Sequence, residues 1–195
     1  MRRAAIIAAG VVAFAALSLI AVYSTYRARH DGIASLIDAV RRRDLVEAKQ
    51  LIAHGVNPRA RLYVSFLDLA LRNRDHEMTL LLLAHGADPN DESMGGWPIE
   101  VAAQHNDVEG LRILVAAGAD VKAIGQGYGA LRQAAAQCAG DAADFLLAQK
   151  APRPGPSGSP YPDQNIVEAC ARCPEIVTRA TSGYCDSGGA KPTAQ

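Results

Sequence analysis

A short apolar stretch closed by a glycine returns at near-constant spacing, and this limits what the chain can fold into more than any other feature. It reads LIAHGVNPRA at 51–60, LLLAHGADPN at 81–90 and ILVAAGADVKA at 113–123. The glycines, Gly55, Gly86 and Gly118, stand 31 and 32 residues apart, and a fourth copy, FLLAQKAPR, carries Lys150 in the glycine's place. A second marker keeps step: Leu36, Leu67, Ile99 and Leu131 are each followed three residues later by Ala39, Ala70, Ala102 and Ala134. Units of this size cannot bury an apolar face alone, so a chain built from them must stack them.

Each unit reads as two short helices and a turn. In the third, a first helix is expected over about Ile99 to His105, with a break at Asn106 and Asp107. Asp107 suits the N-cap of a second helix whose apolar face includes Val108, Leu111, Leu114 and Val115. Gly118 then supplies the left-handed residue that ends it. Hydrophobic residues make up 49% of the chain but aromatics only 5%, so the apolar material is mostly small and aliphatic, as close-packed helices require.

At these residues the chain resembles the ankyrin-repeat family. The resemblance covers about 32–151, as four repeats, and the GADPN and GADVK segments are close to the family's inter-repeat loop. It departs where the family's Thr-Pro-Leu-His start is replaced by ASLI, SFLD, WPIE and GALR, with only Pro98 kept, so the fingers are expected to be less regular. The implied fold is an all-α repeat solenoid: stacked helix-turn-helix ankyrin repeats with short β-turn fingers, preceded by one transmembrane helix. The expected organisation is an anchor with its flanks at 1–30, the repeats at 31–151, a Pro/Gly/Ser-rich linker at 152–164, a degenerate fifth repeat or C-terminal cap at 165–190 and a tail at 191–195.

The anchor is read from the uncharged run between Ala4 and Tyr26, which follows Arg2 and Arg3. About 20 such residues span the hydrocarbon core as a helix. The run exceeds a signal-peptide core, and its small-x-small site, Ala13-Phe14-Ala15, lies inside it, so an uncleaved anchor is expected. Tyr23 and Tyr26 suit an interfacial belt. Arg2 and Arg3 favour a cytoplasmic N-terminus, whereas Arg27, Arg29 and Arg41 to Arg43 favour a cytoplasmic C-terminal part. The cysteines tip the expectation toward a periplasmic or extracytoplasmic repeat domain on an inner or plasma membrane, with the cytoplasmic side as the alternative.

Those cysteines are Cys138, Cys170, Cys173 and Cys185, three of them in the cap region. An even number in a small, weakly cored region suggests one or two disulfides and an oxidising compartment. If the cap is a fifth repeat, Cys138 and Cys173 hold equivalent positions in adjacent units, but the pairing is not readable from sequence. Free thiols, a four-thiolate zinc site and a redox role for Cys170-x-x-Cys173 are the alternatives; the zinc reading lacks a second close pair and the redox reading lacks a βαβ context.

Lysine plus arginine equals aspartate plus glutamate at 20 each, which gives no excess positive charge for nucleic acid. Gly125, Gly127 and Gly129 precede a helix and superficially resemble a phosphate loop, but no strand leads into them, and an inter-repeat turn is the expected role. His54 and His85 both stand just before a helix-ending glycine, where a side chain can bond the last carbonyls. No nucleophile–base set stands out, so the chain is read as a non-enzyme without a cofactor or metal. The family resemblance implies a partner protein bound on a concave face of finger tips and first-helix ends. Transferred to this chain, the helix ends are Arg41, Arg42, Arg72, Asn73, Gln104, His105 and Gln137, and the finger positions include Val64, Met94 and Tyr128; Trp97 stands where the family has its Thr, either as a contact anchor or as a filler between fingers. The Arg42–Arg72–His105 stripe suggests an acidic partner surface. A redox or metal-binding module built on the C-terminal cysteines and an accessory subunit of a neighbouring enzyme are the alternative functions.

Overall fold

The computed structural model describes residues 17–19, 31–60, 65–93, 96–123, 129–152, 169 and 172–181. Apart from the helical residues 17–19, the apolar N-terminal run lies outside them, as do nearly all of the 152–164 linker and the 191–195 tail. Among the described residues no helix is long and apolar enough to cross a membrane.

The regular structure of the described residues is all-α. Helix α1 covers 31–42. There follow α2 (Leu45–Ala53), α3 (Phe66–Arg72), α4 (His76–Ala84), α5 (Pro98–Gln104), α6 (Val108–Ala116), α7 (Ala130–Ala136), α8 (Gly140–Ala148) and α9 (Pro174–Thr181). An isolated β-bridge joins Ser93 and Gly96, and Ser65 is also a bridge residue.

The helices come in pairs, and both turns of each pair are built in the same way every time. After the first helix one residue takes a left-handed conformation: Arg43, Arg74, Asn106 and Cys138, with φ between 50° and 58°. The next amide then reaches back to close the helix, from Asp44, Asp75, Asp107 and Ala139 to the carbonyls of Ala39, Ala70, Ala102 and Ala134, at 2.8–3.0 Å. The recurring alanines of the sequence are therefore the residues whose carbonyls take this bond, and each is fully buried. After the second helix, Gly55, Gly86 and Gly118 have φ of 93°, 91° and 92°, and Lys150 takes the slot at 59°. Here Val56, Ala87, Ala119 and Ala151 donate back to Leu51, Leu82, Leu114 and Leu146. These bonds satisfy carbonyls that the helix ends would leave open.

The second helices start on side-chain caps. Asp44, Asp75 and Asp107 accept from the amides of Glu47, Met78 and Gly110. Glu47, Glu77 and Glu109 add negative charge to the first turns, where the helix dipole favours it. In the fourth pair Ala139 stands in the cap position and supplies no side-chain bond.

Packing follows the pairing. First helices pack in sequence, α3 on α5 and α5 on α7; second helices do likewise, α2 on α4, α4 on α6 and α6 on α8; α9 closes the end against α7 and α8. One continuous core results, from Leu36 and Val40 through Leu67, Ile99 and Leu131 to Ala169, Val177 and Ala180. The cap region thus contains a helical Ala169 and Arg172, a break at Cys173 and then α9.

Candidate functional site

The last turns of α3, α5 and α7, with the residues just after them, are brought together because each of these helices packs on the next, and the end of α1 is tied to that of α3 by Asn73 Nδ2, which donates to the carbonyl of Val40 at 3.4 Å. They hold Arg41 and Arg42, Arg72 and Asn73, Gln104 and His105, and Gln137. Arg41, Arg42, Arg72 and Gln137 are exposed; Asn73, Gln104 and His105 are half-buried. Val64, Met94 and Tyr128 lie outside the described residues, and of the other expected contact positions Trp97 is described.

The charges of this row are largely engaged within the chain. Arg42 Nη2 is 2.6 Å from Glu47 Oε2, and its Nε donates to the carbonyl of Asp38. Arg72 Nε is 3.1 Å from Asp68 Oδ1, and Asp68 is almost wholly buried. Arg41 makes no ion pair among the described residues. The positive stripe expected from sequence is therefore weaker than a count of arginines implies, since two of its members sit beside a carboxylate. His105 adds little charge at neutral pH. Burial disfavours its imidazolium, and Arg72 and Arg74 beside it push the same way, so its pKa falls below the usual 6.5 despite Asp68 and Asp107 nearby. Its Nε2 is shut off from solvent without a hydrogen-bond partner, as are Asp68 Oδ2, Asp107 Oδ2 and Trp97 Nε1.

Trp97 is half-buried on extended backbone just before Pro98. Its backbone N–H donates to Glu100 Oε2 at 3.2 Å, while Glu100 Oε1 accepts from the amide of Gly129 at 2.8 Å. Glu100 is only 2% exposed, so this buried carboxylate joins the start of α5 to the start of α7. A side chain at Gly96 would meet Glu100 Oε2 at 2.7 Å, which explains a glycine there.

Four further ties cross from pair to pair, and each begins at the left-handed residue after a first helix. Arg43 donates to the carbonyl of Asn73, and Arg74 to that of His105. Asn106 donates from Nδ2 to Asp141 at 3.1 Å and accepts the Ala142 amide at 2.9 Å. Cys138 is joined to Cys173 by a disulfide, with Cα atoms 5.8 Å apart. Guanidinium, guanidinium, amide and disulfide do one job in four successive units. Sequence reading placed Cys138 and Cys173 in equivalent positions but missed the series; the signal was the 31-residue spacing of Arg43 and Arg74 followed by Asn106. Cys170 and Cys185 lie outside the described residues. As a disulfide, Cys138 and Cys173 cannot also serve as thiolate ligands of zinc, and no group of three His, Cys, Asp or Glu that could hold a metal ion occurs among the described residues.

The histidines have local roles. His54 and His85 contact the carbonyls of Gln50 and Leu81 through Nδ1, at 2.6 and 2.9 Å, as their position before the glycine implied. His76 Nε2 reaches Asp107 Oδ1 at 2.8 Å and ties α4 to the cap of α6. On the opposite side, α4 and α6 leave a shallow open groove of about 610 Å³ lined by Leu80, Leu83, Arg112 and Ile113 among others. A scan against models of known protein families returns no match, and a search of curated proteins returns none either.

Proposed function

We propose that the chain is a membrane-anchored ankyrin-repeat protein that binds another protein along the row formed by the ends of α1, α3, α5 and α7. The observation that carries this reading is the recurrence of one structural slot. Arg41, Arg72, Gln104 and Ala136 each stand two residues before the left-handed residue that follows a first helix, and α3, α5 and α7 pack on one another in order. Side chains in such a slot form a ladder whose chemistry can vary without disturbing the stack, because their backbones are fixed by the turn bonds. Rigid presentation reduces the entropy cost of association. The apolar run at 4–26 supports anchoring, and the disulfide supports an oxidising compartment for the repeats. Because Arg42 and Arg72 are already paired, the partner would be held by shape and hydrogen bonds to Gln104, Asn73 and Gln137 more than by charge.

The test is affinity capture from the native membrane with the full chain. Replacing Arg72, Gln104 and Gln137 together by alanine should abolish recovery of the partner. Replacing Lys49, Leu80 and Arg112 on the second helices should leave it intact. Equal recovery with both variants would refute the reading.

A second reading, a redox module built on the C-terminal cysteines with metal binding as its variant, has one observation in its favour on the redox side: both bonded cysteines are partly exposed. Thiol titration with metal analysis separates the two: bound zinc, or a low-pKa thiol at Cys170 or Cys185, would support the module.

A further inference from the structure

We propose that the Cys138–Cys173 disulfide is a reductively releasable latch on the terminal helix α9. This inference is independent of the partner-binding reading and concerns only how the end of the stack is closed.

Among the described residues, α9 packs on α7 and α8 mostly through small or partly exposed groups. Ile176 lies against the backbone at Gly140, where even an added Cβ would be 3.2 Å from Ile176 Cδ1. Arg179 Nε meets Asp144 Oδ1 at 3.1 Å, but both side chains are about half exposed. Arg172 Nη2 donates to the carbonyl of Ala136 at 3.2 Å. The buried side chains of α9 are Val177, Ala180 and Thr181, of which only Val177 is a sizeable apolar group.

The pair beneath it also lacks devices the earlier pairs possess. Ala139 leaves the start of α8 without the side-chain cap that aspartates give α2, α4 and α6. Lys150 takes a left-handed conformation at the end of α8, where the other pairs use glycine. In earlier units the left-handed residue after the first helix reaches the next unit by hydrogen bonds; at Cys138 a covalent bond replaces them. Among the described residues, the covalent tie thus falls on the pair that lacks the aspartate cap and the helix-ending glycine.

That bond is open to attack. Cys138 and Cys173 are both partly exposed, so a thiolate can approach. A dithiol reductant would release the latch in two exchanges. Its first thiolate attacks one sulfur and expels the other as a chain thiolate, leaving a mixed disulfide. Its second thiolate then displaces the remaining chain sulfur and closes the reductant's own disulfide. Two electrons pass to the chain, and the two protons lost by the reductant's thiols end on Cys138 and Cys173. Once free, α9 leaves the small-residue face of α7 and α8 uncovered.

Hydrogen exchange on the full chain, with Cys170→Ser and Cys185→Ser to prevent reshuffling, tests this. After treatment with dithiothreitol, amides in 174–181 should exchange at least 100-fold faster, those in 45–116 should be unchanged, and reoxidation should restore protection. Unchanged protection in 174–181 after mass spectrometry confirms reduction would overturn the proposal. So would a loss of protection spread over the whole stack, which would make the bond a global staple. Peptide mapping that finds Cys138 unpaired before reduction would overturn it as well.

Discussion

Asp107 serves two helices at once, and the residue facing it is constrained as a consequence. One oxygen caps α6 through the amide of Gly110 and accepts His76 from α4. A methyl at Gly110 would lie 2.4 Å from the other oxygen and 2.8 Å from the carboxyl carbon. Alanine normally gains about 1 kcal/mol over glycine inside a helix. Here Gly110→Ala should instead destabilise, by roughly 1 kcal/mol, because the cap must be displaced and cap loss costs about 0.5–2 kcal/mol. In an Asp107→Ala background the same change should become stabilising. Urea denaturation of the four proteins completes the cycle, and a stabilising Gly110→Ala in the otherwise unaltered chain would contradict the geometry. His105 sets a second expectation at this scale. Its folded-state pKa is below that of the unfolded chain, so the unfolded state binds more protons between the two values. Stability from this group is present above about pH 6.5 and is lost as pH falls below it. His105→Gln should flatten the difference in urea midpoint between pH 7.5 and pH 5.5; an unaltered pH dependence would contradict the assignment.

At the scale of elements, the sequence was legible where one residue type has one mechanical use. Glycines at 55, 86 and 118 announce helix ends because only glycine enters the left-handed region without cost. Asp107 announces a helix start, and the apolar positions Leu111 and Leu114 are fully buried as their spacing required. What stayed hidden were ties between units, because several residue types perform them. The spacing of Arg43, Arg74 and Asn106 hints at a series, but their differing side chains, with Cys138 after them, show one task only once their shared backbone conformation is seen. Glu100 was hidden for a related reason: a glutamate in an alanine-rich helix reads as solvated, yet it is buried against two amides from different units. Lys150 was legible as a departure, and its effect can be measured. A non-glycine residue in the left-handed region costs about 1–2 kcal/mol, partly offset by the greater freedom of glycine when unfolded. Lys150→Gly should therefore stabilise the chain by roughly 0.5–1 kcal/mol, read as a rise in thermal midpoint. A fall would mean that the lysine side chain makes contacts of greater value than the backbone cost.

At the scale of the whole molecule, stability and recognition are separate on the proposed reading. The fold depends on two turn motifs and a line of small residues, which lie inward or at the backbone, and on ties between neighbours made by more exposed side chains. The exposed ends of α1, α3, α5 and α7 carry few of those duties, with Arg42 and Arg72 as partial exceptions because of their ion pairs. The positions of the helix ends were readable from sequence spacing, while their charge was not: the carboxylates that offset Arg42 and Arg72 come from positions within the same helical pair that pattern reading treats as ordinary. The account stands or falls on that row. The most direct measurement is photo-crosslinking in living cells, with a photoreactive residue placed singly at Arg41, Gln104 or Gln137 and, on the second helices, at Lys49, Leu80 or Arg112. The account predicts one adduct of common mass from the first set and none from the second. Adducts from the second set alone, or equally from both, would contradict it.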